Sequence, residues 1–332
     1  MANLRDVAAR AGVSLATASR VASGTTHVRS ETRDKVEQAM RELLYVSPHR
    51  PATTAAIGIL VPEFGNPVFP ALTDAMETCA SEAGLATIIC NTAGSARREQ
   101  EYVHMLLERR VDGMIFICSE ITDVRGEHSH YQQLLDQGAR LVFVNGDAVD
   151  LDITSIGVDE RAAGRLATEH LLALGHRRIG FVAGFEYASP TRDKARGRED
   201  ALHAAGVDPN GLVAHADFTV DGGRTAMRKL LRHARGRPTA VICSNDLMAI
   251  GAIHETWAHG MNVPNDLSVV GFDGTDLANW VEPRLTTVEQ PIPDLASAAI
   301  GALAGGNGAA TPRYVFRPRL RQGATTAPPS GS

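Results

Sequence analysis

Apolar positions in the first 45 residues recur at three- and four-residue intervals, which predicts three short helices with almost no strand between them. Leu4, Val7, Ala8 and Ala11 share one face of the first helix; Asn3 can cap its start, and Gly12 can end it in the left-handed conformation. Ser14 is the natural N-cap of the second. Its inward face is Ala18 and Val21, while Leu15, Ala16, Thr17 and Arg20 are free to point elsewhere. The third is predicted from Ser30 to about Leu44, on a stripe of Val36, Ala39, Met40 and Leu43.

From Ile57 the period changes. Ile57–Val61, Thr87–Cys90, Gly113–Cys118, Arg140–Asn145, Ile179–Ala183, Ala240–Cys243 and Leu267–Phe272 read as strands, with amphipathic helices between them. Alternating strand and helix implies parallel sheets covered on both faces, and so many units over about 260 residues imply two lobes. Two prolines and little to bury mark Ser47–Ala56 as a linker, and the Thr, Pro, Ser and Gly after Ala324 predict a disordered tail. The expected organisation is a headpiece at 1–46, a short hinge at 47–56, a two-lobed core at 57–323 and a tail at 324–332.

Composition fits a globular protein, at 44% hydrophobic and 21% charged residues, with no apolar run able to span a bilayer. Arg5, Asp6 and Arg10 interrupt the segment an export signal would need, so a cytoplasmic location is expected. Cys79, Cys90, Cys118 and Cys243 are far apart in apolar surroundings and read as buried free thiols. The formal net charge of −5 argues against a polyanionic partner only if the charge is evenly spread. It is not: residues 1–50 hold eight Lys/Arg against five Asp/Glu, so the headpiece alone is basic.

Two helices joined by a tight Gly-containing turn form a helix-turn-helix, whose second helix enters the major groove. Leu15 and Ala16 lie at the helix start where base edges are reached, Thr17 and Ser19 can bond phosphate oxygens, and Arg20 can contact guanine or phosphate.

Asp6-Val-Ala-Ala-Arg-Ala-Gly-Val-Ser14, Ala16-Thr-Ala-Ser-Arg-Val21, His27-Val28, Thr32-Arg33, Val36 and Leu43 to Tyr45 closely resemble the headpiece of the LacI/GalR transcriptional regulators. The resemblance continues through Asn66-Pro67, Leu174-Gly-His-Arg-Arg-Ile-Gly180, Asn245-Asp246, Val269-Val-Gly-Phe-Asp273, Leu285-Thr-Thr287 and Gln290. It implies a small all-α headpiece on an α/β, periplasmic-binding-protein-like core, acting as a repressor whose operator affinity a small molecule controls. It also implies a homodimer on a near-palindromic double-stranded DNA operator, with Ser14, Leu15, Ala16, Thr17, Ser19, Arg20 and His27 facing the DNA. Two departures stand out. Family members usually carry an Ala-Arg-x-Leu hinge helix whose leucine wedges into the minor groove, and no leucine lies between Val46 and Ala56; Ala18 replaces a common valine. The chain also ends in Thr325 to Ser332 without the leucine heptad helix of the family's tetramers, hence the expected dimer.

A cleft between two lobes would take the effector. Asp273 and Asn245 end strands and can bond hydroxyls, and Phe218 can stack on an apolar face. The resemblance adds Val68, Phe69, Asn145, Lys194 and Gln290 or its neighbour Ile292. Lys194 stands where the family usually has arginine; it lacks the planar fork, so Arg192 or Arg196 shares the task, or the ligand differs. Carboxylate, amide and ammonium around one aromatic ring favour a sugar over a purine.

Catalytic readings find little support. His254 and His259 are five apart and about 140° from each other on a helix, unable to share a metal. Glu127-His-Ser-His130 reads as a solvated loop rather than a metal site. No phosphate loop or nucleophile elbow is present, and no cofactor is expected. The alternative reading, a sugar-transport receptor of similar two-lobed shape, would need an export signal and has no use for a headpiece.

Overall fold

The computed structural model describes residues 3–23, 28–43, 45, 55–146, 151–209, 211–234, 236–304 and 312–330. It divides into two units, Met1–Ala55 and Ala56–Ser332. His27 and the predicted hinge through residue 54 lie outside the described residues, while Ala56 already belongs to the first strand of the core.

The first unit holds α1 (Leu4–Ala11), α2 (Leu15–Ala22) and α3 (Ser30–Glu42). Its boundaries follow from caps. Asn3 accepts from the Arg5 and Asp6 amides, the Asp6 carboxylate accepts from the Asn3 amide at 2.8 Å, and Gly12 leaves α1 at φ 66°. The Ser14 hydroxyl accepts from the Thr17 amide at 3.2 Å, as an N-cap does. Val7, Ala18 and Val36, all 0% exposed, form the centre of a small core.

The second unit begins with β1 (Ala56–Val61), α4 (Val68–Glu82), β2 (Ala86–Asn91), α5 (Ala96–Glu108), β3 (Gly113–Ile117), α6 (Ser129–Asp136), β4 (Leu141–Val144) and β5 (Thr154–Val158). Next come α7 (Glu160–Ala173), β6 (Ile179–Ala183), α8 (Ser189–Ala204), β7 (Val213–His215), α9 (Val220–Leu231), β8 (Ala240–Cys243), α10 (Asp246–Ala258), β9 (Ser268–Asp273), α11 (Leu277–Trp280) and β10 (Thr286–Glu289). It closes with α12 (Ile292–Ala304), β11 (Arg313–Phe316) and β12 (Arg319–Arg321).

Two six-stranded sheets result, ordered β11-β5-β4-β3-β1-β2 and β12-β10-β9-β8-β6-β7. The first is wholly parallel; in the second only β12 runs antiparallel, against β10. The chain crosses between the lobes three times, from β5 to α7, from β10 to α12 and from β11 to β12. In the second lobe α7 and α8 pack backbone to backbone. A Cβ on Gly164 would strike the Lys194 carbonyl, and one on Gly197 the Arg161 carbonyl. This close approach sets Glu160 and Lys194 side by side at the mouth of the cleft.

The predicted disordered tail is not observed through Ser330. Thr325 is 0% exposed, its hydroxyl donates to the Val269 carbonyl at 2.7 Å, and the Val269 amide donates to the Thr325 carbonyl at 2.8 Å. Composition suggested disorder because these residues bury little apolar surface, but backbone pairing beside β9 orders them instead. The four thiols are free, Cys90 and Cys243 buried and Cys79 and Cys118 only partly so.

Candidate functional site

On the headpiece, α2 divides its residues as the DNA reading requires. Ala18 and Val21 are buried, whereas Leu15, Ala16, Ser19 and Arg20 are exposed and Thr17 half-buried. Leu15, at 45% exposed, has no packing reason to face water; an apolar side chain so placed suits a thymine methyl. Ser14 is occupied as the cap and lies 2.8 Å from the Thr17 hydroxyl, so it orders the helix start more than it frees a donor.

In the core, a cavity of about 240 Å³ opens between the lobes. Val68 and Phe69 enter it from the first turn of α4, Asn145 from the end of β4, Asn245 from the start of α10, Asp273 from the end of β9 and Gln290 just beyond β10. Strand ends deliver the polar groups because in open α/β sheets the crevice lies at the carboxyl ends of the strands. Asn145 sits at φ 53°, a left-handed value at which asparagine is among the best tolerated side chains after glycine, and Asp273 sits at φ 118°.

A chain of side-chain hydrogen bonds joins these groups across the lobes. Asn66 Nδ2 donates to Asp273 Oδ2 at 3.4 Å, Gln290 Nε2 donates to Asp273 Oδ1 at 2.8 Å, and Asn145 Nδ2 donates to Gln290 Oε1 at 2.8 Å. The chain ends on Asn145 Oδ1, which is buried with no partner in the protein. Aromatic rings form the wall: Phe185 meets Phe218 edge-on at 5.5 Å and stacks on Tyr187 at 5.0 Å.

The structure therefore gathers Val68, Phe69, Asn145, Lys194, Phe218, Asn245, Asp273 and Gln290 in one cavity, and leaves Arg192 out. Arg192 and Arg196 are both exposed, and Arg196 pairs with Asp193 at 2.9 Å. Ile292 starts α12 and packs on the apolar core instead. Asn245 faces the cavity with its amide already engaged, accepting from the Met248 amide at 2.8 Å and donating to the Phe218 carbonyl at 3.0 Å. It holds the ring-bearing loop in place. Lys194 has a specific setting: it is 6% exposed, ion-paired with Glu160, and lies 3.7 Å from the centre of the Phe272 ring. Asn66, Glu160, Phe185 and Tyr187 also line the cavity and were not singled out as ligand contacts by sequence.

Electrostatics favour an uncharged occupant. Glu63, Glu160 and Asp273 face a single cation, Lys194, among the lining residues. Burial, then the neighbouring Asp246 carboxyl, push Asp273 well above the usual carboxylate range, despite Lys194 and the bonds from Gln290 and Asn66. Glu63 and Glu160 are raised chiefly by burial. No helix among the described residues is long and apolar enough to cross a membrane.

Residues 3–47 match the family described as bacterial regulatory proteins, lacI family, and residues 168–326 match a periplasmic binding protein-like domain. The HTH-type transcriptional regulator MalR of Streptomyces coelicolor is 36% identical over 99% of this chain and 97% of its own length. Among solved structures, a lac repressor dimer bound to operator and the anti-inducer ONPF aligns with TM-score 0.81 and 28% identity, covering 98% of this chain and 99% of that one. A transcriptional regulator CelR–cellobiose complex aligns with TM-score 0.74 and 29% identity, covering 98% of this chain and 100% of that one.

Proposed function

We propose, for a chain that belongs to the lacI family of bacterial regulatory proteins, that it is a repressor whose grip on a near-palindromic operator is set by a neutral sugar held between the lobes of its core. It is a DNA-binding transcriptional regulator rather than an enzyme, with the family's helix-turn-helix headpiece and two-sheet core. The observation that carries the sugar reading is the inter-lobe chain Asn66–Asp273–Gln290–Asn145, ending in an unpartnered buried acceptor beside an aromatic wall. Such a row of donors and acceptors matches successive hydroxyls, and a ring face covers the apolar side of a sugar. The Lys194–Glu160 pair supports neutrality, because the one cation among the lining residues is already compensated and none is left to balance an added carboxylate or phosphate.

Ser14, Leu15, Ala16, Thr17, Ser19, Arg20 and His27 would face the DNA, Arg20 bearing the charge that reaches base or phosphate. Two copies reading two half-sites require a homodimer, and action on DNA places the protein in the cytoplasm. The test is selection of bound duplexes from a random pool at two salt concentrations, repeated with neutral sugars, sugar phosphates and purines. A palindromic consensus whose binding weakens with salt and responds to one neutral sugar is expected. A response to a phosphorylated sugar or a purine alone overturns the sugar reading, and no enriched sequence overturns the DNA reading.

A further inference from the structure

The first lobe gathers a second set of converging side chains where α5, a 3₁₀ turn at Glu120–Thr122 and α6 meet. Glu99 lies in the first turn of α5 and is 2% exposed; Glu120 opens the 3₁₀ turn; His130 lies in the first turn of α6. One ligand atom from each falls within 4.8 Å of the other two, and His130 Nε2 is 3.8 Å from Glu120 Oε2. The sequence placed His130 in a solvated loop, but it lies in α6 with its side chain only 25% exposed, its ring tilted at 41° with its centre 3.8 Å from that of Tyr131.

Two observations point to a ligand. His130 Nε2 is buried and has no hydrogen-bond partner. The group facing it is a carboxylate, Glu120 Oε2, at 3.8 Å, beyond hydrogen-bond distance. Glu99 is itself positioned from behind, accepting from the Tyr131 hydroxyl, which lies 3.2 Å from the Ser119 hydroxyl. Beside the cluster, a cavity of about 280 Å³ lined by Glu99, Glu120 and His128 offers an entry path.

We propose that Glu99, Glu120 and His130 bind a divalent transition-metal ion, zinc in preference to manganese, in the first lobe. Two carboxylates balance the charge, and the imidazole selects zinc over the harder oxygen-seeking cations. At zinc–ligand distances of about 2.0–2.2 Å, neighbouring ligand atoms stand roughly 3.3 Å apart, so the groups need to close by only a fraction of their present spacing. Three protein ligands leave a position open toward the cavity.

The ion would brace a segment that reaches the other lobe. Just beyond Glu120, Asp123 forms a bridge with Ala188, the Val124 amide donates to the Tyr187 carbonyl at 3.0 Å, and the Arg125 guanidinium lies 3.6 Å from the Tyr187 ring centre.

The experiment is titration of the metal-stripped full chain with zinc alone by calorimetry, and with cobalt alone read by visible absorption. One equivalent should bind, and His130→Ala and Glu120→Gln should each weaken binding at least tenfold and remove the zinc-induced rise in Tm. Glu99→Gln, which keeps an acceptor for Tyr131, should do the same without lowering the metal-free Tm. Unchanged zinc affinity in folded His130→Ala overturns the site. So does loss of binding only in His104→Ala, whose ring lies 3.4 Å from Glu108 on the exposed face of α5.

Discussion

Asp246 should make the second lobe less stable as pH rises. The side chain is 2% exposed at the start of α10; Oδ1 accepts from the Thr287 hydroxyl at 2.6 Å and Oδ2 from the Gly274 amide at 3.0 Å. Burial outweighs these bonds and lifts its pKa from 3.8 to about 7. A carboxyl raised on folding binds its proton more tightly when folded, so its stabilising contribution is complete below about 4 and is lost as pH climbs toward 7. At about 1.4 kcal/mol per pH unit, one proton over that window amounts to about 4 kcal/mol, an upper figure because Asp273 shares the titration. Asp246→Asn removes the charge and keeps the geometry: its Oδ1 can accept from Gly274, and its amide can donate to the Thr287 hydroxyl, which rotates to accept. Urea unfolding read by tryptophan fluorescence reports this lobe, because both tryptophans, Trp257 and Trp280, lie in it. Without ligand, the variant should exceed the parent by about 2 kcal/mol at pH 5, where the loss has begun, and by up to about 4 kcal/mol at pH 8. Parallel pH profiles for the two proteins, or a variant much weaker than the parent at pH 5, refute the reasoning.

Asp273→Asn sets an amide nitrogen against the Gln290 or Asn66 donor and breaks the inter-lobe chain; it should raise the sugar concentration needed to change operator binding about 2–12-fold, with little change in Tm. An unchanged half-maximal concentration would move the sugar elsewhere. Gly164→Ala should lower the Tm of the core by a few degrees, since its methyl meets the Lys194 carbonyl and the overpacking costs about 1–3 kcal/mol. A calorimetric scan with no shift would mean that α7 and α8 do not pack backbone to backbone. Arg20→Ala should weaken operator binding and reduce the slope of log affinity against log salt by about two, one for each headpiece of the dimer; filter binding across a salt series that finds both unchanged takes α2 out of the groove.

Local rules read the headpiece helices because their caps are local. Asn3, Gly12 and Ser14 mark the same ends in sequence and structure. In the core, the strands with continuous β-branched runs were legible, while β5, β7, β10, β11 and β12 were not. Thr154-Ser-Ile-Gly-Val158 and Thr286-Thr-Val-Glu289 are diluted by small or polar residues, and Arg319–Arg321 is three residues long; neighbouring strands supply the pairing that their own pattern does not announce. The cleft was legible where it sits on strand ends, as with Asp273 and Asn145. It was missed at Asn66, Phe185 and Tyr187, which loops deliver, and at Glu160 at the start of α7. Helical geometry would have removed Arg192 and Arg196 as partners of Lys194: each is two residues away, about 200° around α8, so a cleft-facing Lys194 turns both outward. The Glu160 partner was hidden because it depends on Gly164 and Gly197 bringing two helices together, a long-range fact.

The cleft network sits on the hinges themselves, and this determines how a ligand can act. Glu160 is the first residue of α7, immediately after the β5 crossing, and Gln290 follows β10 at the next crossing. Asn66 and Asn145 belong to one lobe and Asp273 to the other, so the chain Asn66–Asp273–Gln290–Asn145 spans the gap and passes through a crossing segment. A ligand that satisfies Asn145 Oδ1 in one lobe arrangement and not in another binds the two with different free energies, and only such a difference can shift the equilibrium between them. One hydrogen bond gained in this way is worth about 0.5–1.5 kcal/mol and two or three reach the 1–3 kcal/mol typical of allosteric coupling, a change of about 5–150-fold in affinity at the distant site. Replacing Gln290 by Glu should therefore separate binding from response. Glu still accepts from Asn145 but cannot donate to Asp273, so the sugar should bind while the lobes lose their link, and operator affinity should no longer follow sugar concentration. A Gln290→Glu protein that binds the sugar and still responds through the full range would show that the crossing at residue 290 does not carry the signal.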